Sequence, residues 1–342
     1  MRLLLLGGGH AHAAVLRDFR KADATLVTPF PHHTYSGMMP GFIAGHYRLE
    51  ELRIDMASLA ARAGVKLVIG RVAALDAASR LARLEDGTEL QYDVASLNLG
   101  SIPASAPGSA EHALAAKPFE NFMERWLEAK DRVRKVGVVG AGTAGVEIAM
   151  AVAYRAAAHV TLYSDRPAAG WRVARALERN GVTLRSNTPV TAVEPGPAVL
   201  AGGTRESFDL VIWTAGAAPL PWLRASGLAT DAQGFVLVDD KLRSVSHPEV
   251  FAVGDCATLR DAPHAKSGVY AVRHGEVLAQ NLRGGELRSY APQRRALALL
   301  SCGARYAIAE WSGWSAEGAW AWRWKDRIDR RFVEKYRTPA GP

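Results

Sequence analysis

The chain opens with Arg2-Leu-Leu-Leu-Leu-Gly-Gly-Gly-His-Ala-His-Ala-Ala-Val15, and this stretch constrains the fold more than any other. Four consecutive leucines read as a short strand buried on both faces, and the Ala-rich run after the glycines suits a helix. A strand, a glycine turn and a helix in that order are how a dinucleotide-binding βαβ unit begins. Gly7 would make the tight turn, and Gly9, beyond Gly8, would let the backbone approach a pyrophosphate. The helix starting at His10 and Ala11 would offer free N–H groups to the phosphates. The third fingerprint position should be Gly or Ala, and here it is His12. Taken alone, the match is imperfect: it favours a nucleotide site, with an ordinary tight βα turn as the alternative.

The fingerprint returns complete in Lys135-Val-Gly-Val-Val-Gly-Ala-Gly-Thr-Ala-Gly-Val-Glu147. Gly140, Gly142 and Gly145 take its three positions between a Val-rich strand and an Ala-rich helix that begins near Thr143. His159–Tyr163 is the second strand of this unit. Asp165 after it suits ribose hydroxyls and Arg166 a 2′-phosphate, a solvated turn fits as well, and NADH and NADPH are not separable here. Trp213-Thr-Ala-Gly216 closes this unit as Leu97-Asn-Leu-Gly100 closes the first. The chain thus holds two modules of one plan, the second inserted after residue 103.

Length and composition agree. A chain of 342 residues has room for two domains with separate cores, and 49% apolar with 22% charged residues is the balance of a globular protein. No apolar run reaches spanning length, which predicts a cytoplasmic protein. Two distant cysteines, Cys256 and Cys302, exclude a disulfide framework or a Cys-rich zinc site. The net charge of +8 is uneven: Ala319–Pro342 carries seven Lys/Arg against three Asp/Glu, a basic segment on a nearly balanced body rather than a nucleic-acid footprint.

Between these landmarks, Thr25–Thr28 reads as a strand, with Thr28 where such folds usually carry an acid for ribose. Pro31–Phe42 is too rich in Pro and Gly for regular structure, yet it carries Tyr35, Met38, Met39 and Phe42, as a loop lying on something flat and large would. Five of the ten histidines precede residue 47, but without His-x-x-x-His spacing or paired acids no metal site is expected. Leu52–Ala63 and Phe119–Arg134 read as helices, the first capped by Gly64. Segments 71–76, 82–84 and 90–92 read as a small antiparallel sheet with an Asp86-Gly87 turn, and Pro103–Gly108 as a linker. From Gly234 the chain returns to the first module: strands 235–238 and 250–253 precede Gly254-Asp255, an acid placed for ribityl or phosphate hydroxyls or for capping the helix Val269–Arg283. The predicted fold is therefore α/β, with two Rossmann-like domains built on parallel sheets with small antiparallel additions. Residues 1–103 and 234–300 form one, 104–233 the other, and 301–342 a Trp/Arg-rich C-terminal segment.

Two nested Gly-rich βαβ units followed by Gly254-Asp255 resemble the FAD-dependent pyridine nucleotide–disulfide oxidoreductase superfamily. Within it the chain looks most like the flavoprotein module fused to selenide, water dikinase, in stand-alone form, a relative of type II NADH dehydrogenases and sulfide:quinone oxidoreductases. The likeness is carried by Leu6–His12, Tyr35-Ser-Gly-Met-Met-Pro-Gly41, Gly140–Gly145, Gly254-Asp255, Lys266-Ser-Gly-Val-Tyr-Ala-Val-Arg273 and Trp322–Phe332, and His12 fits that subgroup. The resemblance implies FAD over Gly7–Gly9, with Thr28, Gly100, Asp255, Gly268 and Val269 around it. NAD(P)H would lie over Gly140–Gly145, with Asp165 and Gly216. It also implies that Lys266 and Gly268 present a helix end to the flavin, with Lys266 as a cation tuning it. Arg273 would lie near a quinone pocket and Tyr35 beside the flavin.

The redox cysteine pair of disulfide reductases is missing from residues 1–60, so hydride would pass from nicotinamide to flavin and electrons onward to a quinone or other small acceptor. Cys302 reads as a buried thiol. Two other readings stay open: a sulfur- or selenium-handling flavoprotein, and a non-catalytic FAD/NAD(H) redox sensor. Five tryptophans between Trp311 and Trp324, and a four-apart set of Trp320, Trp324, Ile328, Phe332 and Tyr336, suit either packing on the flavin domain or peripheral contact with the inner membrane face. A homodimer is compatible with all of this.

Overall fold

The four leucines after Arg2 form a strand with both faces covered, none more than 3% exposed, as a central parallel strand requires. The computed structural model describes residues 1–18, 23–167, 170–293 and 297–337; the last five residues of the basic tail lie outside them. The elements that position the site run in chain order as β1 (Leu3–Leu6), α1 (His10–Asp18), β2 (Ala24–Thr28), β3 (Lys66–Ile69), β4 (Val94–Leu97), β5 (Lys135–Val139), α2 (Thr143–Ala156), β6 (His159–Tyr163), β7 (Val182–Arg185), β8 (Leu210–Trp213), β9 (Val250–Ala252), α3 (Gly268–Leu282) and α4 (Ala319–Arg337).

Two five-stranded parallel sheets result. The first has the order β9–β4–β1–β2–β3, with Leu6 opposite Val27 on one side and Leu97 on the other. Its edge strand β9 comes from far along the chain, after the second sheet is complete. The second has the order Leu114–Ala115, β8, β5, β6, β7. In both, the glycine turn leaves the carboxyl end of the middle strand, where open α/β sheets bind ligands. Small antiparallel sheets cover 72–91, 190–207 and 298–318. One contiguous apolar core runs through both sheets into α4, with a smaller cluster including Val139, Tyr163, Phe208 and Trp213.

Several local expectations change. The helix expected over Leu52–Ala63 breaks into a turn at Leu49–Leu52, a strand Arg53–Asp55 and a helix Met56–Ala63. Asp55 is the reason: its side chain accepts the Ser58 N–H (2.9 Å), a stronger N-terminal signal than anything before it. Gly64, at φ 68°, ends that helix as expected. The supposedly irregular Pro31–Phe42 is largely regular. His32–Thr34 pairs with Arg53–Asp55, Ser36–Met38 forms a 3-10 turn, and Met39–Ile43 a short helix with Pro40 in its first turn, where no N–H is needed. The helix from Phe119 stops at Ala129 rather than Arg134. There the Arg134 and Lys135 N–H groups turn to Asp209 Oδ2 (2.7 and 2.8 Å), drawing the chain into β5. Strand Val236–Val238 pairs with Ala257–Leu259, a strand with no sequence signal of its own.

The four-apart set in the tail lies on one helix but not on one face. Trp320, Trp324 and Ile328 are 42%, 44% and 40% exposed, whereas Tyr336 is 2% exposed. A step of four residues drifts by about 40° around a helix, so five such positions sweep from solvent into the core.

Candidate functional site

At the first turn Gly7 has φ 97°, and a Cβ there would sit 2.3 Å from the Asn98 carbonyl oxygen, so only glycine fits. A Cβ on Gly8 would lie 2.6 Å from Thr28 Oγ1, and one on Gly9 2.4 Å from Asn98 Oδ1. His12, fully buried, explains its own presence. Its Nδ1–H donates to Gly7 O (2.6 Å), and its Nε2 accepts the Ser96 hydroxyl (2.9 Å). Burial lowers its pKa to about 4 against the raising effect of the Gly7 carbonyl, so it is a neutral strut between turn and sheet.

His10, the first residue of α1, is 8% exposed, and its Nδ1 lies 3.1 Å from His33 Nε2. Burial, and then the charge of Lys117, lower its pKa to about 4. Its Nε2 is buried with no hydrogen-bond partner in the protein. A helix N-terminus, three crowded glycines and an unpartnered buried imidazole nitrogen fit the phosphate end of a dinucleotide.

Gly254–Cys256 forms a 3-10 turn beyond β9 rather than a helix cap. Asp255 accepts Lys117 Nζ (2.7 Å) and Ser101 Oγ (3.4 Å), and the Gly254 N–H donates to His274 Nδ1 (3.0 Å). Gly100, at φ 72°, turns the chain just before Ser101. Gly268 and Val269 open α3, with Val269 43% exposed. Lys266 stands just before α3 but turns away toward the strand at 257–259, where it donates to Ala257 O and to Thr258 Oγ1 (2.7 Å) and lies 4.1 Å from the Phe235 ring centroid. Burial lowers its pKa. Arg273 is exposed on the flank of α3.

The second turn keeps the full fingerprint. Gly140 has φ 103°, and a Cβ on Gly145 would lie 1.8 Å from Gly140 O, so helix and strand touch here as they cannot around His12. A Cβ on Gly142 would meet nothing within 4 Å, so the space before Thr143, the first residue of α2, is open. The Thr214 hydroxyl lies 2.8 Å from both Val139 O and Gly140 O, and Gly216 turns at φ 57° beyond it. Asp165 is highly exposed, 3.9 Å from Arg166.

Tyr35 sits between α1 and α4. Its hydroxyl donates to Asp329 Oδ1 (3.1 Å), and its ring lies 4.4 Å from that of Phe332 and 5.6 Å from that of His10. Burial, then the Asp329 charge, raise its pKa, so it stays a neutral phenol. Lys325 Nζ donates to Asp329 Oδ2 (2.7 Å) and Gly37 O (2.5 Å). Lys325 stays charged because Asp329 and Glu147 outweigh the cost of burial. Glu147 on α2 accepts the Ser301 N–H (2.8 Å), and burial raises its pKa to about 7 despite the opposing Lys325 charge. Both thiols are free and buried, that of Cys302 pushed up to about 12. Among the described residues no group of three His, Cys, Asp or Glu is placed to hold a metal.

Sequence reasoning passed over Asn98, Lys117, Glu147 and the Lys325–Asp329 pair. Asn98 was legible by alignment of the two modules, since it stands where Thr214 stands in the second. Lys117 carried no local signal.

A family model described as pyridine nucleotide-disulphide oxidoreductase matches residues 1–275. An NADH dehydrogenase-like protein of Mycobacterium tuberculosis is 29% identical over 261 residues, 68% of this chain and 65% of its own length, so the chain spans under two thirds of that relative. One from Bacillus subtilis is 25% identical over 305 residues, 82% of this chain and 83% of the relative. The solved sulfide:quinone oxidoreductase of Aquifex aeolicus shares the fold, with a TM-score of 0.79 at 16% identity over 98% of this chain and 92% of that one.

Proposed function

The chain belongs to the pyridine nucleotide-disulphide oxidoreductase family of NAD(P)H-dependent flavoproteins, and on that premise we propose an FAD-containing NAD(P)H dehydrogenase that reduces a quinone or other small acceptor without a redox disulfide. The observation that carries this reading is the pair of unequal glycine turns. One opens on a buried, unpartnered His10 nitrogen beside the Lys117–Asp255 pair, the other on free space before Thr143. Gly7–Gly9, His10, Thr28, Gly100, Asp255, Gly268 and Val269 hold FAD; Gly140, Gly142, Thr143, Asp165 and Gly216 hold NAD(P)H. A flavin held there would supply the capacity to accept hydride from the nicotinamide and to pass electrons to the acceptor.

The chain's own groups bind, orient and hold protons. The α2 N-terminus meets the nicotinamide-nucleotide phosphates. Lys117 fixes the Asp255 carboxylate, which leaves its other oxygen for cofactor hydroxyls. Lys266, anchored on Ala257 and Thr258, sets the start of α3 rather than serving as a mobile cation. Glu147, with a pKa of about 7, holds or releases a proton near neutrality. Domains 1–103 with 234–300 and 104–233 divide the two cofactors, and the exposed Trp and Arg face of α4 meets the cytoplasmic membrane surface.

The test is a visible spectrum of the FAD-reconstituted protein under anaerobic conditions. NADH or NADPH is expected to bleach the flavin band at once, and a soluble quinone to restore it. A protein that takes up no flavin overturns the reading; bleaching by sulfide without nucleotide transfers it to chalcogen oxidation.

A further inference from the structure

We propose that Asn98 is a positioning residue that staples together the two halves of the FAD site, a role that rests on FAD occupying the first glycine turn. Asn98 directly follows β4, it is 5% exposed, and its side-chain amide is used from both ends. The oxygen accepts the N–H groups of Ala11 (3.1 Å) and His12 (3.3 Å) in the first turn of α1. The nitrogen donates to Val253 O (3.2 Å), the residue before Gly254-Asp255. One side chain therefore ties the phosphate turn to the carboxylate turn, although they lie 87 and 155 residues from it in opposite directions along the chain.

The two glycines around it are explained by the same contact. A Cβ on Gly9 would come within 2.4 Å of Asn98 Oδ1, and one on Gly254 within 2.8 Å of Asn98 Nδ2. Neither position tolerates a side chain while Asn98 holds both segments. At the matching place in the second module, Thr214 instead keeps its hydroxyl on Val139 O and Gly140 O of its own turn. The staple also alters phosphate recognition. With the Ala11 and His12 amides engaged, the cofactor phosphates fall to the backbone ahead of them, to Lys117 and to the free Nε2 of His10. The first site is thus assembled before the cofactor arrives, and binding does not have to bring the halves together.

The test compares Asn98→Ala and Asn98→Asp with the unaltered full-length apoprotein by amide hydrogen exchange and by FAD titration. In N98A, exchange is expected to quicken together in the segments 7–15 and 250–257, and the Kd for FAD to rise tenfold or more, with the Kd for NADH unchanged. N98D keeps an oxygen for the α1 amides but offers no N–H to Val253, so only segment 250–257 gains exchange; it also serves if N98A does not fold. Faster exchange confined to 7–15 in N98A, or an FAD Kd within twofold of the unaltered protein, overturns the staple. Failure of the unaltered protein to bind FAD overturns the cofactor reading instead, and the exchange arm still decides whether Asn98 joins the two segments.

Discussion

The two copies of one fingerprint solve the same packing problem with different residues. Gly145 lets α2 touch β5, whereas His12 holds α1 off β1 and spends both ring nitrogens bridging the gap. His12 is therefore part of the turn's structure, not a lapse in the motif. Glu147, two residues beyond Gly145, supplies a measurable consequence. Its folded pKa of about 7 lies above its ordinary value of 4.5, so the folded protein binds that proton more tightly than the unfolded chain. The stability this confers is fully present below pH 4.5 and lost as pH rises to 7, about 3–4 kcal/mol in all, of which roughly two thirds or more falls between pH 5 and pH 8. His10, His12 and His274, lowered by burial to about 4, 4 and 3, act in the opposite sense, their destabilising effect growing as pH falls below 6.5. They are common to wild type and E147Q, so the difference between the two isolates Glu147. Urea denaturation at pH 5 and pH 8 is expected to show wild type losing about 2 kcal/mol relative to E147Q. Parallel pH profiles for the two proteins would refute the assignment.

At the scale of elements, α4 matters through its buried side. Ala321, Trp322, Lys325, Asp329, Val333 and Tyr336 face inward, and the two charged members are one turn apart, with side chains 10% and 6% exposed. An ion pair this deep contributes little relative to an apolar pair of similar size, but losing one partner leaves a charge in low dielectric. Here the pair also fixes the chain around the candidate site, through Tyr35 on one side and Gly37 O on the other. D329A is expected to cost about 3–5 kcal/mol, because the Lys325 ammonium then keeps Gly37 O and the field of Glu147 alone. The double variant K325M/D329L, which removes both charges, is expected to cost clearly less. Chemical denaturation of the three proteins measures this. Equal losses in the single and double variants would mean that packing, not charge, governs the contact.

At the scale of the molecule, the sequence carried the parts governed by local rules and lost those that depend on distant partners. The two glycine turns, the sheets behind them and the antiparallel ribbon turned by Asp86-Gly87 follow from strand–turn–helix order and periodicity. The regular structure within 31–42 did not, because His32–Thr34 becomes a strand only by pairing with Arg53–Asp55. Lys117 was invisible for the same reason: its meaning comes from Asp255, 138 residues away. The tail was half legible, since periodicity announced a helix but its drift decided which aromatics reach the core. That drift leaves Trp320, Trp324 and Ile328 in solvent, interleaved with exposed Arg323, Arg327 and Arg331. No helix among the described residues is long and apolar enough to cross a membrane. On the proposed reading this exposed face meets the bilayer, apolar rings entering the headgroup layer and guanidinium groups meeting lipid phosphates. The protein is expected to sediment with vesicles containing phosphatidylglycerol, less with pure phosphatidylcholine, and less again as salt is raised. Each large apolar side chain contributes about 1.5–3 kcal/mol when fully buried, and partial insertion of three still predicts at least a tenfold loss of partitioning for W320S/W324S/I328S. Each of the three side chains is still more than half covered by protein, so the variant is expected to melt at a lower temperature, and vesicle binding is compared below that transition with the protein still folded. Undiminished vesicle binding by the folded triple variant, or none by the unaltered protein, would assign this face another role.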